Sequence, residues 1–157
     1  MVLIAVDTGT RDSAYVVVET DTYEILEAKK VPNEDMLKLL RDEYYDDCVV
    51  EMFSSYGGGS GRDVFESIVM VGRVVESQWW RFERDGKVIP RIEVKKHVCG
   101  TVNANDASVI RALKDRFGDK GTKKNPGWFY GVKMDCWQAY ALAVTHIDRM
   151  KGDVYKE

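Results

Sequence analysis

Apolar residues fall in short β-type runs through the first third of the chain and at helical spacing through much of the rest. Residues 2–7, 13–19 and 23–31 are rich in β-branched and aromatic side chains and are separated by Thr8-Gly9-Thr10 and Thr20-Asp21-Thr22. That pattern predicts three strands in an antiparallel meander. Pro32-Asn33 opens a helix with Met36, Leu37, Leu39 and Leu40 on its apolar side, running to about Tyr44, and a short strand follows at 48–52. The glycine-rich stretch 54–61 suits a loop. Beyond it, Val64, Phe65, Ile68, Val71, Val75 and Trp79 are spaced for a long helix over 63–82, either core or dimer interface, in which Gly72 allows close approach of another backbone. A strand is predicted at 88–94, a helix from Asn105 or Asp106 through Phe117, and an apolar helix from Asp135 to Met150. Residues 118–131 read as a polar, basic loop, functional or partly disordered. The order βββαβ predicts a mixed α/β sheet.

A chain of 157 residues suits a single domain that buries roughly two-thirds of its unfolded surface. It has no apolar run of about 18 residues, and the first run reaches Asp7 without the basic flank of a signal peptide. A cytoplasmic location is the expectation, that of a bacterial host if the protein is phage-encoded. Cys48, Cys99 and Cys136 are widely spaced among apolar neighbours, as free buried thiols would be. Charge is divided unevenly. Residues 1–60 carry 5 basic and 13 acidic side chains, whereas 61–157 carry 18 and 13. Between 111 and 133, seven Lys or Arg face only Asp115 and Asp119, which either attracts a polyanion or marks a solvated helix face and loop.

Candidate chemistry comes from separated carboxylates. Asp7 ends the run Val2-Leu3-Ile4-Ala5-Val6 beside a tight turn, Glu51 ends Cys48-Val49-Val50, and Asp135 begins the last helix. Each alone is an ordinary acid at the end of an element. Brought together by the fold, they make an oxygen-rich site for a hard divalent cation, and such a site suits phosphodiester chemistry.

Three segments carry a family resemblance: Ile4-Ala5-Val6-Asp7-Thr8-Gly9-Thr10, Val49-Val50-Glu51-Met52-Phe53, and the run from Asp135-Cys136-Trp137-Gln138 to Val144-Thr145-His146. In order and spacing they resemble the RuvC-like Holliday-junction resolvases of the ribonuclease H-like superfamily, of a phage type. The resemblance implies a ribonuclease H-like mixed sheet flanked by helices, forming a single nuclease domain. It implies a homodimer, joined through the helix around Ile68 to Trp79, that cuts four-way junctions symmetrically. It also implies two Mg2+ ions about 4 Å apart, for which Mn2+ can substitute. Asp7, Glu51, Asp135 and Lys95 would then be catalytic, with Asp7, Glu51, Asp135 and Gln138 around the metals and Lys95 steadying the scissile phosphate. Lys95 read alone is an exposed lysine after a strand. Phe53 and Tyr56 flank the glycine-rich loop where the family places an aromatic wedge, although Phe53 equally suits the core. Lys96, His97, Lys123, Lys124 and Lys133 would contact DNA. Trp79, Trp80 and Trp128 read as packing residues.

The chain departs from the family pattern at Gln138, where most members have an acid, and at Asp106, near a position often basic; phosphate contact there would fall to Lys96, His97 or Lys133. Asp135 and Gln138 share a helix face, but an amide oxygen is a neutral and weaker Mg2+ ligand. His146 stands roughly 16 Å along the helix from Asp135 and reads as a helix-end residue. Alternatives are a related nuclease acting on flaps, forks or RNA–DNA hybrids, and a non-catalytic junction-binding protein in which Gln138 marks a lost metal. Asp7-Thr8-Gly9-Thr10 also resembles the phosphate loop of actin-like and sugar-kinase ATPases, which need two such domains where this chain supplies one.

Overall fold

The computed structural model describes residues 1–54 and 61–154, the last two by backbone alone. Five strands, β1 (Val2–Asp7), β2 (Asp12–Glu19), β3 (Ile25–Pro32), β4 (Asp47–Met52) and β5 (Lys87–Pro90), form one sheet in the order β3-β2-β1-β4-β5. The meander is antiparallel, and β4 and β5 add on in parallel. The mixed sheet expected from the βββαβ order is therefore present. Helices α1 (Asn33–Asp42) and α2 (Arg62–Phe82) cover one face; α3 (Arg91–Cys99), α4 (Asp106–Phe117) and α5 (Cys136–Val154) cover the other.

Alternation along β1 explains both cores. Leu3 and Ala5 point toward α5, while Ile4 and Val6 point toward α1 and α2, and all are buried. A central strand covered on both sides is apolar at every position, and each fully buried Leu, Ile or Val contributes about 1.5–3 kcal/mol. Helix α5 is buried without interruption from Cys136 to Ile147 because it lies over the sheet with α3 and α4 beside it. Ala139, Ala141 and Ala143 keep it slim.

The strand predicted at 88–94 is half helix. Among the described residues β5 pairs with β4 as far as Met52 opposite Pro90, and the chain turns into α3 at Arg91. A short apolar run does not by itself distinguish the two states. Trp79 and Trp80 are also not packing residues: both project from the outer face of α2, with Trp80 77% exposed. Gly72 lies on that same face, where a Cβ would meet no other atom within 4 Å among the described residues. Trp128 does pack, stacked on Phe117 and donating from its indole to the Tyr140 hydroxyl at 3.1 Å. With Phe129 buried beside it, the basic segment 118–131 is an anchored loop. Cys48 and Cys136 are buried thiols, whereas Cys99 is only half-buried.

Candidate metal centre at the ends of two parallel strands

Val6 lies opposite Val50 in the parallel pair, so the next residue on each strand brings Asp7 and Glu51 side by side on the α5 face. On the other side of Asp7, the antiparallel register places Ala14 opposite Asp7 and Lys30 opposite Ala14. A single row across the sheet therefore reads Lys30, Ala14, Asp7, Glu51, in which Ala14 is small and buried. Asp135 immediately precedes α5. The chain passes through left-handed backbone at Gly131 (φ 86°) and Met134 (φ 48°) to deliver it there, and its carbonyl accepts from the amides of Gln138 and Ala139.

The turn after Asp7 is fixed. A Cβ on Gly9 would come within 2.4 Å of the Asp12 carbonyl oxygen, so the turn requires glycine. Asn33, at the start of α1, donates its side-chain amide to the carbonyls of Gly9 (3.0 Å) and Thr10 (3.2 Å) while accepting from the Ser13 hydroxyl at 2.7 Å.

The electrostatics are those of a site short of positive charge. Glu51 is 5% exposed, and its Oε2 has no hydrogen-bond partner among the described residues. Burial, followed by the neighbouring Asp7 charge, pushes the Glu51 carboxyl well above the usual carboxylate range, with Arg91 and Lys95 opposing. Asp7 is raised by burial and then by Asp135, against Arg91 and Lys30. Arg91 Nη1 stands 3.7 Å from Glu51 Oε1, and its Nη2 donates to Asp106 Oδ1 at 2.7 Å. Asp135 is engaged elsewhere: Lys30 Nζ donates to its Oδ2 at 2.6 Å.

A buried carboxylate oxygen without a donor costs free energy that a cation would recover. The oxygen-only donors fit a hard divalent ion, with Asp7 and Glu51 as the residues that would hold it. Among the described residues, however, no set of three or more His, Cys, Asp or Glu side chains is arranged to hold a metal ion. Asp135 with Lys30 on it does not complete such a set. Gln138 is buried on α5 at 5% exposure.

The remaining expected positions divide. Half-buried Lys95 lies on α3 rather than after a strand, and it lines a depression beside the acids with Ser54, Arg91, Ile92 and Val102. Phe53 is half-buried just past β4, and exposed Lys133 lies two residues before Asp135. Lys123 and Lys124 are exposed on the 118–131 loop. Tyr56 lies outside the described residues. Lys96 and His97 are set apart from the acids: they line a separate hollow with Glu93 and Arg149, and His97 Nε2 is 2.7 Å from Asp148 Oδ2, roughly 20 Å along α5 from Asp135. The basic group near Asp106 is Arg91. His146 is no helix-end residue, since it is buried within α5 and lies 2.9 Å from Asp47 Oδ2.

Lys30 and Arg91 are functional candidates that sequence reasoning missed. Lys30 comes into view only through two successive hairpin registers, and Arg91 was hidden inside the expected strand 88–94.

No protein-family model matches the chain, and no curated protein sequence does. Solved structures do match in shape. The Thermus thermophilus RuvC structure superposes with a TM-score of 0.67 at 16% identity, covering 97% of each chain. T. thermophilus RuvC in complex with Holliday junction substrate gives 0.68 at 17%, covering 96% of each. At that identity the likeness concerns architecture, and the architecture of this chain is the RuvC-like, ribonuclease H-like fold.

Proposed function

We propose that this protein is a metal-dependent, structure-selective endonuclease that cleaves phosphodiesters in branched DNA, four-way junctions above all. The observation that carries the reading is the convergence of Asp7 and Glu51 at adjacent parallel strand ends beside Asp135, with a buried Glu51 oxygen that lacks a partner among the described residues. A Mg2+ or Mn2+ ion held there would polarise the phosphate and activate water. Around it, Arg91 and Lys95 face the acids from the start of α3, where a scissile phosphate would meet two positive charges. Phe53, Lys133, Lys123 and Lys124 extend that contact along the DNA. The structural neighbour bound to a Holliday junction supports the choice of substrate class.

The homodimer rests on α2. Phe65, Ile68, Val69, Gly72, Trp79 and Trp80 lie at helical spacing on its outer face, and the apolar side chains among them are exposed. A two-fold dimer through this stripe would present paired sites to a two-fold junction.

One observation favours a second reading, a non-catalytic junction binder: the Lys30 ion pair on Asp135, with neutral Gln138 one turn further along. A labelled four-way junction and a linear duplex, each incubated with Mg2+, Mn2+ or chelator, decide between the readings. Paired, metal-dependent nicks confined to the junction are the expected result. Tight junction binding without nicks in either metal would favour the binder, and cleavage that ignores branching would overturn the substrate assignment.

A further inference from the structure

Lys30 stands against Asp135, the third carboxylate of the site. It projects from β3 in the same cross-sheet row as Asp7 and Glu51, separated from Asp7 only by small, buried Ala14. Its ammonium donates to Asp135 Oδ2 at 2.6 Å. On the next turn of α5, Gln138 contributes no charge. We infer that the centre takes a single divalent cation, between Asp7 and Glu51, and that the Lys30 ammonium is the built-in second positive charge on Asp135.

Charge balance leads the same way. Asp7, Glu51, Asp135 and Asp106 bring four negative charges, and Lys30, Arg91 and Lys95 offset three of them. One divalent ion neutralises the remainder and leaves a net positive site for a phosphate. A second would have to displace the Lys30 ammonium from Asp135, and close like charges in a partly buried site repel strongly. The buried Glu51 oxygen has no hydrogen-bond partner among the described residues, whereas Asp135 has the Lys30 ammonium.

The inference rests on the metal-site reading above, and counting bound ions separates the two. Mn2+ bound per chain is measured by equilibrium dialysis with electron paramagnetic resonance of the free ion, on the full chain without DNA. The wild type is expected to saturate at a single Mn2+. Lys30→Arg keeps that count, and Lys30→Gln combined with Gln138→Asp takes up a second. Lys30 is partly exposed at the sheet rim, and a circular-dichroism melt verifies that each variant is folded. Two ions in the wild type would overturn the inference while leaving the metal site standing. A single ion in the folded double variant would overturn the role given to Lys30. No ion in the wild type would remove the metal-site reading and this inference with it.

Discussion

Asp47 and Glu51 begin and nearly end the same strand, face the same helix, and are almost equally buried, at 4% and 5% exposure. Their surroundings differ. Around Asp47, Oδ1 accepts from Arg84 (2.9 Å) and the Cys48 amide (3.0 Å), and Oδ2 from Lys87 (2.6 Å), with His146 at 2.9 Å. Burial alone would raise its carboxyl, but the bonds from His146 and Lys87 prevail and hold it down to about 2. Glu51, roughly 13 Å along the strand, is pushed the other way by burial and by Asp7, with one oxygen unpartnered among the described residues. The lower end of β4 is a closed ionic latch between sheet and helix. The upper end keeps a buried carboxylate oxygen without a partner among the described residues, the feature on which the proposed cation site rests.

Substitutions at the two ends should therefore separate activity from stability. The largest effect is expected at the upper end: Asp7→Asn should lower junction cleavage on the order of 10²–10³-fold or more while junction binding, read by gel shift, stays within a few-fold. Retained cleavage would exclude Asp7 from the site. Asp47→Ala should do the reverse, costing about 2–3 kcal/mol in urea unfolding, because Lys87 and His146 lose their shared partner; their partial exposure at Lys87 and Arg84 limits the loss. Glu51→Gln should stabilise the protein in chelator at pH 8 by roughly 1–2 kcal/mol, since it removes a crowded buried charge, and should abolish cation binding.

The pH dependences should oppose one another. A carboxyl lowered by folding, such as Asp47, contributes stability that is present above its unfolded value and lost as pH falls from about 4 toward 2, roughly 2 kcal/mol for this residue. Asp47→Asn should flatten that acid limb. Asp7 and Glu51 are raised by folding, so their contribution is present below the ordinary carboxylate range and lost as pH rises above it. In chelator, stability should decline from about pH 5 upward, and Glu51→Gln should reduce the slope.

What was legible in the sequence follows the same division. Asp7 and Glu51 could be found because each ends a short apolar run, and a strand that ends in an acid places it at the sheet rim. Their adjacency needed only the parallel pairing implied by the helix between β3 and β4. The Asp47–His146 contact was illegible, as it joins residues 99 apart through the crossing of α5 over β4, which no local pattern encodes. Lys30 was hidden for a related reason: in a strand containing both Lys29 and Lys30, a one-residue change of register would exchange which of them faces the acids. Arg91 was lost to a short apolar run that suits strand and helix alike.

The central claim, that one end of β4 is a cation site and the other a latch, is tested most directly by thermal unfolding titrated with Mn2+ on the wild type, Glu51→Gln and an Asp47→Asn variant. Ligand binding to the folded state alone raises the midpoint with the logarithm of concentration. The account predicts a rise in the wild type that is larger at pH 8 than at pH 6, none in Glu51→Gln, and an undiminished rise from a lower starting midpoint in Asp47→Asn. A Glu51→Gln protein that responds like the wild type, or an Asp47→Asn protein that folds but no longer responds, would contradict it.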